Sequence, residues 1–219
     1  MFFVQIRITS CKAYLLFTYS KNPKADWPKR MEEYVFSTFH GTADTRFRLK
    51  REDTCLDIFQ QANPNATIHR RCGLIVNKHF PWFGFSPDAI MVYRGKKRLL
   101  EIKSLKVGKE TFGMEFVQRA SCLERLKTGN EGLTLKKKHP FYGQIQLGLA
   151  VCDLEEASLL LYVHKNKSVI TVDVHIDVDF IREFTSQLFN VYFEYLLPFY
   201  VKNEDRLRIR KMNKYKKVT

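Results

Sequence analysis

GFSPDAIMVYRGKKRLLEIKSL, Gly84 to Leu105, decides how this chain is read. FGFSPDAIMVY and KRLLEIKSL have the apolar content of strands, yet Asp88 interrupts the first, and Glu101 and Lys103 the second. A buried polar group without a partner costs about 2–7 kcal/mol, and an ion more. Arg94-Gly95 is the only turn signal between the two segments. A two-residue hairpin loop there sets Tyr93 opposite Lys96, and therefore Asp88 opposite Glu101 and Ser86 opposite Lys103. Directly opposed and next-but-one residues share a face. The two carboxylates and the lysine then project together, while Pro87, Ala89, Leu100 and Ile102 pack on the other face. A one-residue slip would separate the carboxylates, so the inference is bound to this register.

Carboxylates held opposite each other repel unless a cation lies between them. An all-oxygen site suits Mg²⁺ or Mn²⁺, with several waters retained. Lys103, two residues beyond Glu101, can position or activate such a water or steady developing negative charge. This combination fits metal-assisted hydrolysis of a phosphodiester. The competing explanation is an exposed hairpin face carrying charges of mixed sign, which antiparallel sheets commonly have.

Two polar residues elsewhere bear on that choice. In REDTCLDIFQQA (51–62), Cys55, Ile58, Phe59 and Ala62 recur at helical spacing and predict a short helix ending before Asn63-Pro64. Glu52 falls on its apolar side, although an acid at a helix start also complements the macrodipole. HPFYGQIQLGLAV (139–151) predicts a helix with Pro140 in its first turn. There Gln144 shares a line with Phe141, Gly148 and Val151, a small-residue strip suited to close approach by another element. A partner from the backbone is the simpler account of its amide.

The remaining pattern sets the fold class. CGLIV (72–76), ASLLLYVHK (157–165) and SVITVDVHID (168–177) read as strands, the last two separated at Asn166. From Asp179 a long helix is predicted, with an apolar stripe of Phe180, Phe184, Leu188, Val191 or Tyr192, and Tyr195, stopping at Pro198. Residues 20–50 are the least regular, with Pro23, Pro28 and Gly41 as breakers. Helix, hairpin, helix, two strands and helix together describe an α/β fold with a central mixed β-sheet flanked by helices.

The chain is 219 residues long, enough for one well-buried domain, and is 45% hydrophobic and 27% charged. Its net charge of +14 and pI near 9.6 point to a polyanion, nucleic acid or an anionic membrane, with a generic basic surface as the alternative. Arg94 to Lys109 carries seven Lys or Arg against one Glu. LKKKH adds Lys136, Lys137 and Lys138, and RLRIRKMNKYKK (206–217) is almost wholly basic, a composition expected of a disordered tail. Five cysteines stand far apart at 11, 55, 72, 122 and 152 without CxxC spacing. That argues against a zinc module or a disulfide framework, and for an intracellular, reducing compartment, with nucleus and cytoplasm undistinguished. No apolar run reaches transmembrane length, MFFVQIRITSCK lacks the basic n-region of a signal peptide, and there is no amphipathic basic helix outside the tail, so no membrane association is expected.

SPDAI followed by LLEIK resembles the PD-(D/E)XK nuclease signature. RITSCKAYLLFTYSK resembles the "RITAS" opening of the YqaJ-type viral recombinases, the relatives of phage lambda exonuclease. FHGTADTRFRLKRED is similar to that family's first acidic motif, CGLIVNKHFPWFGFSPDAI to its central block and LKKKHPFYGQIQLGLAV to its Tyr/Gln helix. FNVYFEYLLPFY resembles its closing helix. The resemblance runs in order along nearly the whole chain. It implies a restriction-endonuclease-like core over residues 1–201, a YqaJ-like PD-(D/E)XK nuclease domain, followed by a basic tail over 202–219.

By this resemblance Asp88, Glu101 and the backbone carbonyl of Ile102 are metal ligands, with Glu52 binding metal directly or through water. Lys103 is the catalytic lysine and Gln144 the glutamine beside the active site. Arg7 and Ser10 are the candidates for gripping a 5′ phosphate, and Lys136, Lys137 and Lys138 are read from their charge as further DNA-binding residues. The implied activity is Mg²⁺- or Mn²⁺-dependent 5′-to-3′ exonucleolytic degradation of double-stranded DNA. The alternatives are an endonuclease on the same fold and a DNA-binding module without turnover. The family also implies a homo-oligomer, a ring-shaped trimer in its phage member, and a single-strand annealing protein as partner. The sequence departs from the family where Arg48 replaces a glycine and Cys11 replaces a serine, and MFFV offers no counterpart to an upstream arginine. The first motif lies almost at residue 1, so part of the family's N-terminal region is expected to be missing.

Overall fold

The computed structural model describes residues 6–36, 43–125 and 132–215. A five-stranded mixed sheet forms its centre, in the order β2 (Thr67–Arg70), β4 (Ala89–Tyr93), β5 (Lys96–Lys103), β8 (Glu156–Val163), β9 (Ser168–His175). β5 and β8 run parallel, and the other neighbours are antiparallel. The hairpin register is the one that the turn predicts. Tyr93 pairs with Lys96 and Ala89 with Leu100, around Arg94 and Gly95 at φ 48° and 77°. Positive φ at both central residues is the type I′ requirement, and its twist matches that of the strands.

β8 shows why ASLLLYV has no polar alternation. Ala157, Leu159, Leu161 and Val163 face one core, and Leu160 and Tyr162 the other. A central strand buried on both faces reads as a continuous apolar run. The larger core takes α1 (Ser10–Ser20), α5 (Pro140–Cys152) and α6 (Val178–Val191) through Leu16, Phe17, Ile145, Leu149, Phe184 and Leu188. The smaller core packs Cys55, Leu56 and Phe59 of α3 (Ala43–Ala62) against Ala89, Leu100 and Ile102. Ala62 of the predicted stripe is exposed, because the helix leaves the sheet at its last turn.

Several elements depart from the sequence reading. CGLIV is not a strand: within it only Ile75 pairs, in an isolated bridge to Phe85. The edge strand is instead β2, whose alternating half-exposed residues give a weak apolar signal. Within the breaker-rich 20–50 segment, Trp27–Phe36 is a helix, α2. Pro28 stands at its start, where the missing N–H is harmless. α3 begins at Ala43, eight residues before the predicted start.

The closing helix does not stop at Pro198. A π-helical turn at Tyr192–Leu196 leads into α7 (Leu197–Lys202), and Pro198 falls in the first turn of this new segment. The basic segment after residue 202 is helical as α8 (Glu204–Tyr215). Arg206 donates twice to the Glu32 carboxylate, at 2.9 and 2.5 Å, and lies 4.0 Å over the Phe36 ring. These contacts on α2 order the start of a segment whose composition predicts disorder.

The other elements are β1 (Ile8–Thr9), which pairs in parallel with β3 (Phe83–Gly84), α4 (Gly113–Arg119), and the hairpin of β6 (Leu123–Arg125) with β7 (Leu133–Leu135). Close approach at the small-residue strip of α5 occurs as expected. A Cβ on Gly148 would stand 2.7 Å from the Phe85 ring, so that ring can seat only over glycine.

Candidate active site

β5 is the spine of the site. Glu101 and Lys103 leave it toward a cavity of about 560 Å³ whose walls also include Glu52 of α3, Asp88 before β4 and Gln144 of α5. The structure thus brings together the five residues singled out in sequence, from four separate segments. The β4–β5 ladder ends at Ala89–Leu100, so Asp88 stands one step past the last pair, alongside Glu101. Its Oδ2 accepts from the N–H of Ile102 at 2.7 Å, so the side chain takes the place of the missing strand partner.

The expected pairing of Ser86 with Lys103 does not form. Phe85 is drawn into reciprocal backbone bonds with Ile75 at 2.7 and 3.0 Å, and Pro87 has no N–H to extend the β4 ladder. This break has a chemical consequence. Residues of a hydrogen-bonded antiparallel pair exchange both backbone groups, and the register sets Pro87 opposite Ile102. Proline cannot donate to the Ile102 carbonyl, and Ile102 borders the cavity.

Glu101 is only 2% exposed. Its Oε1 accepts from Lys103 Nζ and from Gln144 Nε2, each at 2.5 Å. Its Oε2 is buried and has no hydrogen-bond partner among the described residues. Burial pushes the carboxyl up to about 7; Lys103 opposes that rise, while the charges of Asp88 and Glu52 add to it. A buried carboxylate with one oxygen unfilled and two further acids nearby is short of positive charge. The Lys103 ammonium also lies 5.2 Å from the centre of the Phe141 ring.

The donor set fits a hard divalent cation. Its components are the open oxygen of Glu101, the Asp88 carboxylate and the carbonyl of Ile102, with Glu52 on the cavity wall. Among the described residues no group of three or more His, Cys, Asp or Glu is gathered closely enough to hold a metal ion. Mg²⁺ does not need such a group, because it binds through one or two carboxylates and keeps several waters. The five cysteines are free thiols.

The other sequence candidates lie elsewhere. Ser10 is 5% exposed at the start of α1 and, like Arg7, is not part of the cavity wall, whereas Cys11 is. Arg7 passes beside Gly84. Lys136 donates to the Ser121 carbonyl at 2.8 Å, and Lys137 pairs with Asp177 at 2.5 Å. Lys138 is exposed, and none of the three borders the cavity. Arg51, Lys106, Lys109 and Phe141 do border it and were not singled out. The lysines were visible in sequence only as members of a charged run.

The whole architecture is shared with solved structures. The alkaline exonuclease LHK-Exo from Laribacter hongkongensis, in complex with dAMP, superposes with a TM-score of 0.64 at 14% identity, over 95% of this chain and 97% of that one. The chain has the restriction-endonuclease-like fold of these exonucleases. A phage-related exonuclease from Haemophilus somnus 129PT gives a TM-score of 0.57 at 12% identity, over 85% of this chain and 93% of that one. A SOX–DNA complex gives 0.53 at 10% identity, over 86% and 65% respectively. No protein-family model matches the sequence, and no curated protein matches it. In this exonuclease fold the cavity lies where β5 leaves the ladder, and among the described residues no helix is long and apolar enough to cross a membrane.

Proposed function

We propose that this protein is a Mg²⁺- or Mn²⁺-dependent deoxyribonuclease that hydrolyses phosphodiester bonds of double-stranded DNA, as a 5′-to-3′ exonuclease. The observation that carries this reading is the state of Glu101. It is a buried carboxylate with Lys103 and Gln144 on one oxygen and, among the described residues, no hydrogen-bond partner on the other, beside Asp88. The likeness in fold to exonucleases supports it, and so does the net charge of +14.

A divalent ion held by Asp88, Glu101 and the Ile102 carbonyl would supply Lewis acidity at the scissile phosphate and acidify a bound water. The protein's own groups do the rest. Lys103, bonded to Glu101 and in contact with the Phe141 ring, is placed to donate to the attacking water or to a phosphate oxygen as negative charge accumulates. Gln144 locks Oε1 of Glu101 and so fixes the direction in which Oε2 faces. Asp88 accepts from the Ile102 N–H and so fixes the backbone at the residue whose carbonyl would join the two carboxylates.

The test is digestion of a linear 5′-phosphorylated duplex beside a closed circle, in Mg²⁺ and in Mn²⁺, by the unsubstituted protein and by Lys103→Ala. Shortening of the linear duplex alone, lost in the variant, is expected. Cutting of the circle would make the protein an endonuclease. Salt-sensitive binding without cleavage of either substrate would leave a DNA-binding module.

A further inference from the structure

The carboxylates and Lys103 address one phosphate, whereas a nucleic-acid strand presents many. Three residues past Lys103 the chain enters a 3₁₀ turn, Lys106–Lys109. Side chains at i and i+3 of a 3₁₀ turn eclipse, so Lys106 and Lys109 lie on the same side of it. Both are exposed and both border the active-site cavity.

The turn is fixed to the body of the protein. Gly108 N–H donates to the Leu105 carbonyl at 3.1 Å, and the Gly108 carbonyl accepts from Lys165 N–H at 2.9 Å. Thr111, 2% exposed, donates its hydroxyl to Val107 at 3.0 Å. A Cβ on Gly108 would stand 3.1 Å from the Phe116 ring and 3.4 Å from Val163 Cα, so glycine lets the turn settle on the end of β8. Two like charges are therefore held side by side. Among the described residues neither ammonium makes a hydrogen bond or an ion pair, and the adjacent acid, Glu110, faces Arg119 at 3.4 Å. Such a pair suits an anion with more than one charged centre.

We infer that Lys106 and Lys109 form a phosphate clamp that holds the substrate strand beside the scissile bond. The clamp rests on the nuclease reading for the identity of that strand as DNA. Three residues span at most about 10 Å, and phosphates recur about every 3.4 Å of axis along one strand. Lys106 therefore meets a phosphate within about three nucleotides of the reacting one, with Lys109 one 3₁₀ turn further on.

The experiment measures binding of a short, blunt, 5′-phosphorylated DNA duplex in EDTA over a series of KCl concentrations, so that no hydrolysis is needed. In Lys106→Ala/Lys109→Ala the slope of log K against log salt becomes shallower by about 1.8, that is about 0.9 per phosphate contact. Lys106→Arg/Lys109→Arg retains the slope. Lys24→Ala/Lys29→Ala, which removes the same charge from exposed sites outside the cavity, also leaves it unchanged. Equal slopes for the two alanine doubles would overturn the clamp, as would an absence of salt-sensitive binding by the unsubstituted protein. If the clamp double alone flattens the slope but the unsubstituted protein cleaves nothing in Mg²⁺ or Mn²⁺, the clamp stands and the nuclease reading falls.

Discussion

The N–H of Ile102 donates to Oδ2 of Asp88 at 2.7 Å, one step beyond the point where the β4–β5 ladder ends. A catalytic candidate thus also closes a strand terminus, and its two duties can be separated by substitution. Asp88→Asn keeps an oxygen that can accept from Ile102 but loses the charge. It should unfold within about 1 kcal/mol of the unsubstituted protein while losing hydrolysis. Asp88→Ala leaves a buried N–H unpaired and should cost about 1–3 kcal/mol in addition. Urea denaturation beside a cleavage assay checks both; equal stability of the two variants would remove the strand-closing role.

The open oxygen of Glu101 predicts stabilisation by metal. A ligand that binds only the folded state raises stability by mass action, about 2.7 kcal/mol at a hundredfold excess over Kd. Mg²⁺ or Mn²⁺ should therefore raise the Tm of the unsubstituted protein in a concentration-dependent way. Glu101→Gln removes the buried charge that draws the ion and should abolish the shift. Scanning calorimetry with and without the ion gives the answer without relying on turnover.

Gln144 and Lys103 share one oxygen of Glu101 but reach it differently, from α5 and from the same strand. Gln144→Leu preserves approximate volume and removes only the donor. Partners that orient a metal ligand typically account for 10–100-fold in activity or affinity. A loss of about that size in kcat is expected, with stability nearly unchanged. A loss comparable to that of Lys103→Ala would instead place Gln144 among the groups that contact the reacting phosphate.

How much of this was legible in sequence follows from the range of the forces involved. The hairpin register could be read because Arg94-Gly95 offers one turn and the alternation permits one pairing. Asp88, Glu101 and Lys103 followed from it. The break at Ser86 could not, since it depends on Phe85 finding Ile75 across a loop. CGLIV looked like a strand because apolar runs do not reveal their pairing. The basic helix α8 was invisible because its anchor, Glu32, lies 174 residues away from Arg206. Lys106 and Lys109 were visible only as charge, because the side they share exists only once Gly108 has settled on β8. Lys137 was counted as a DNA-binding residue on charge, and its carboxylate partner could be found only through the fold.

That partner supplies the last prediction. Asp177 caps α6 by accepting from Phe180 N–H at 3.1 Å, and it also accepts from the Tyr142 hydroxyl at 2.7 Å and from Lys137. Its own N–H donates to Oε1 of Gln146, a residue with no exposure. The start of α6 is thereby tied to α5, the helix that carries Gln144 into the site. The Lys137 ammonium, the Tyr142 hydroxyl and the Phe180 N–H hold the Asp177 carboxyl down at about 2. An aspartate in the unfolded chain titrates near 3.9, so the folded value is the lower one. The sign follows: the contribution of Asp177 is fully present above about pH 4 and is lost as pH falls toward 2. Asp177→Ala should cost about 1–2 kcal/mol near neutral pH through loss of the cap. Asp177→Asn keeps an acceptor for the helix but cannot be protonated in this range, so its stability should fall less steeply between pH 4 and 2. Urea unfolding across that interval decides the matter, and parallel curves for Asp177→Asn and the unsubstituted protein would show that Asp177 contributes nothing to the acid sensitivity.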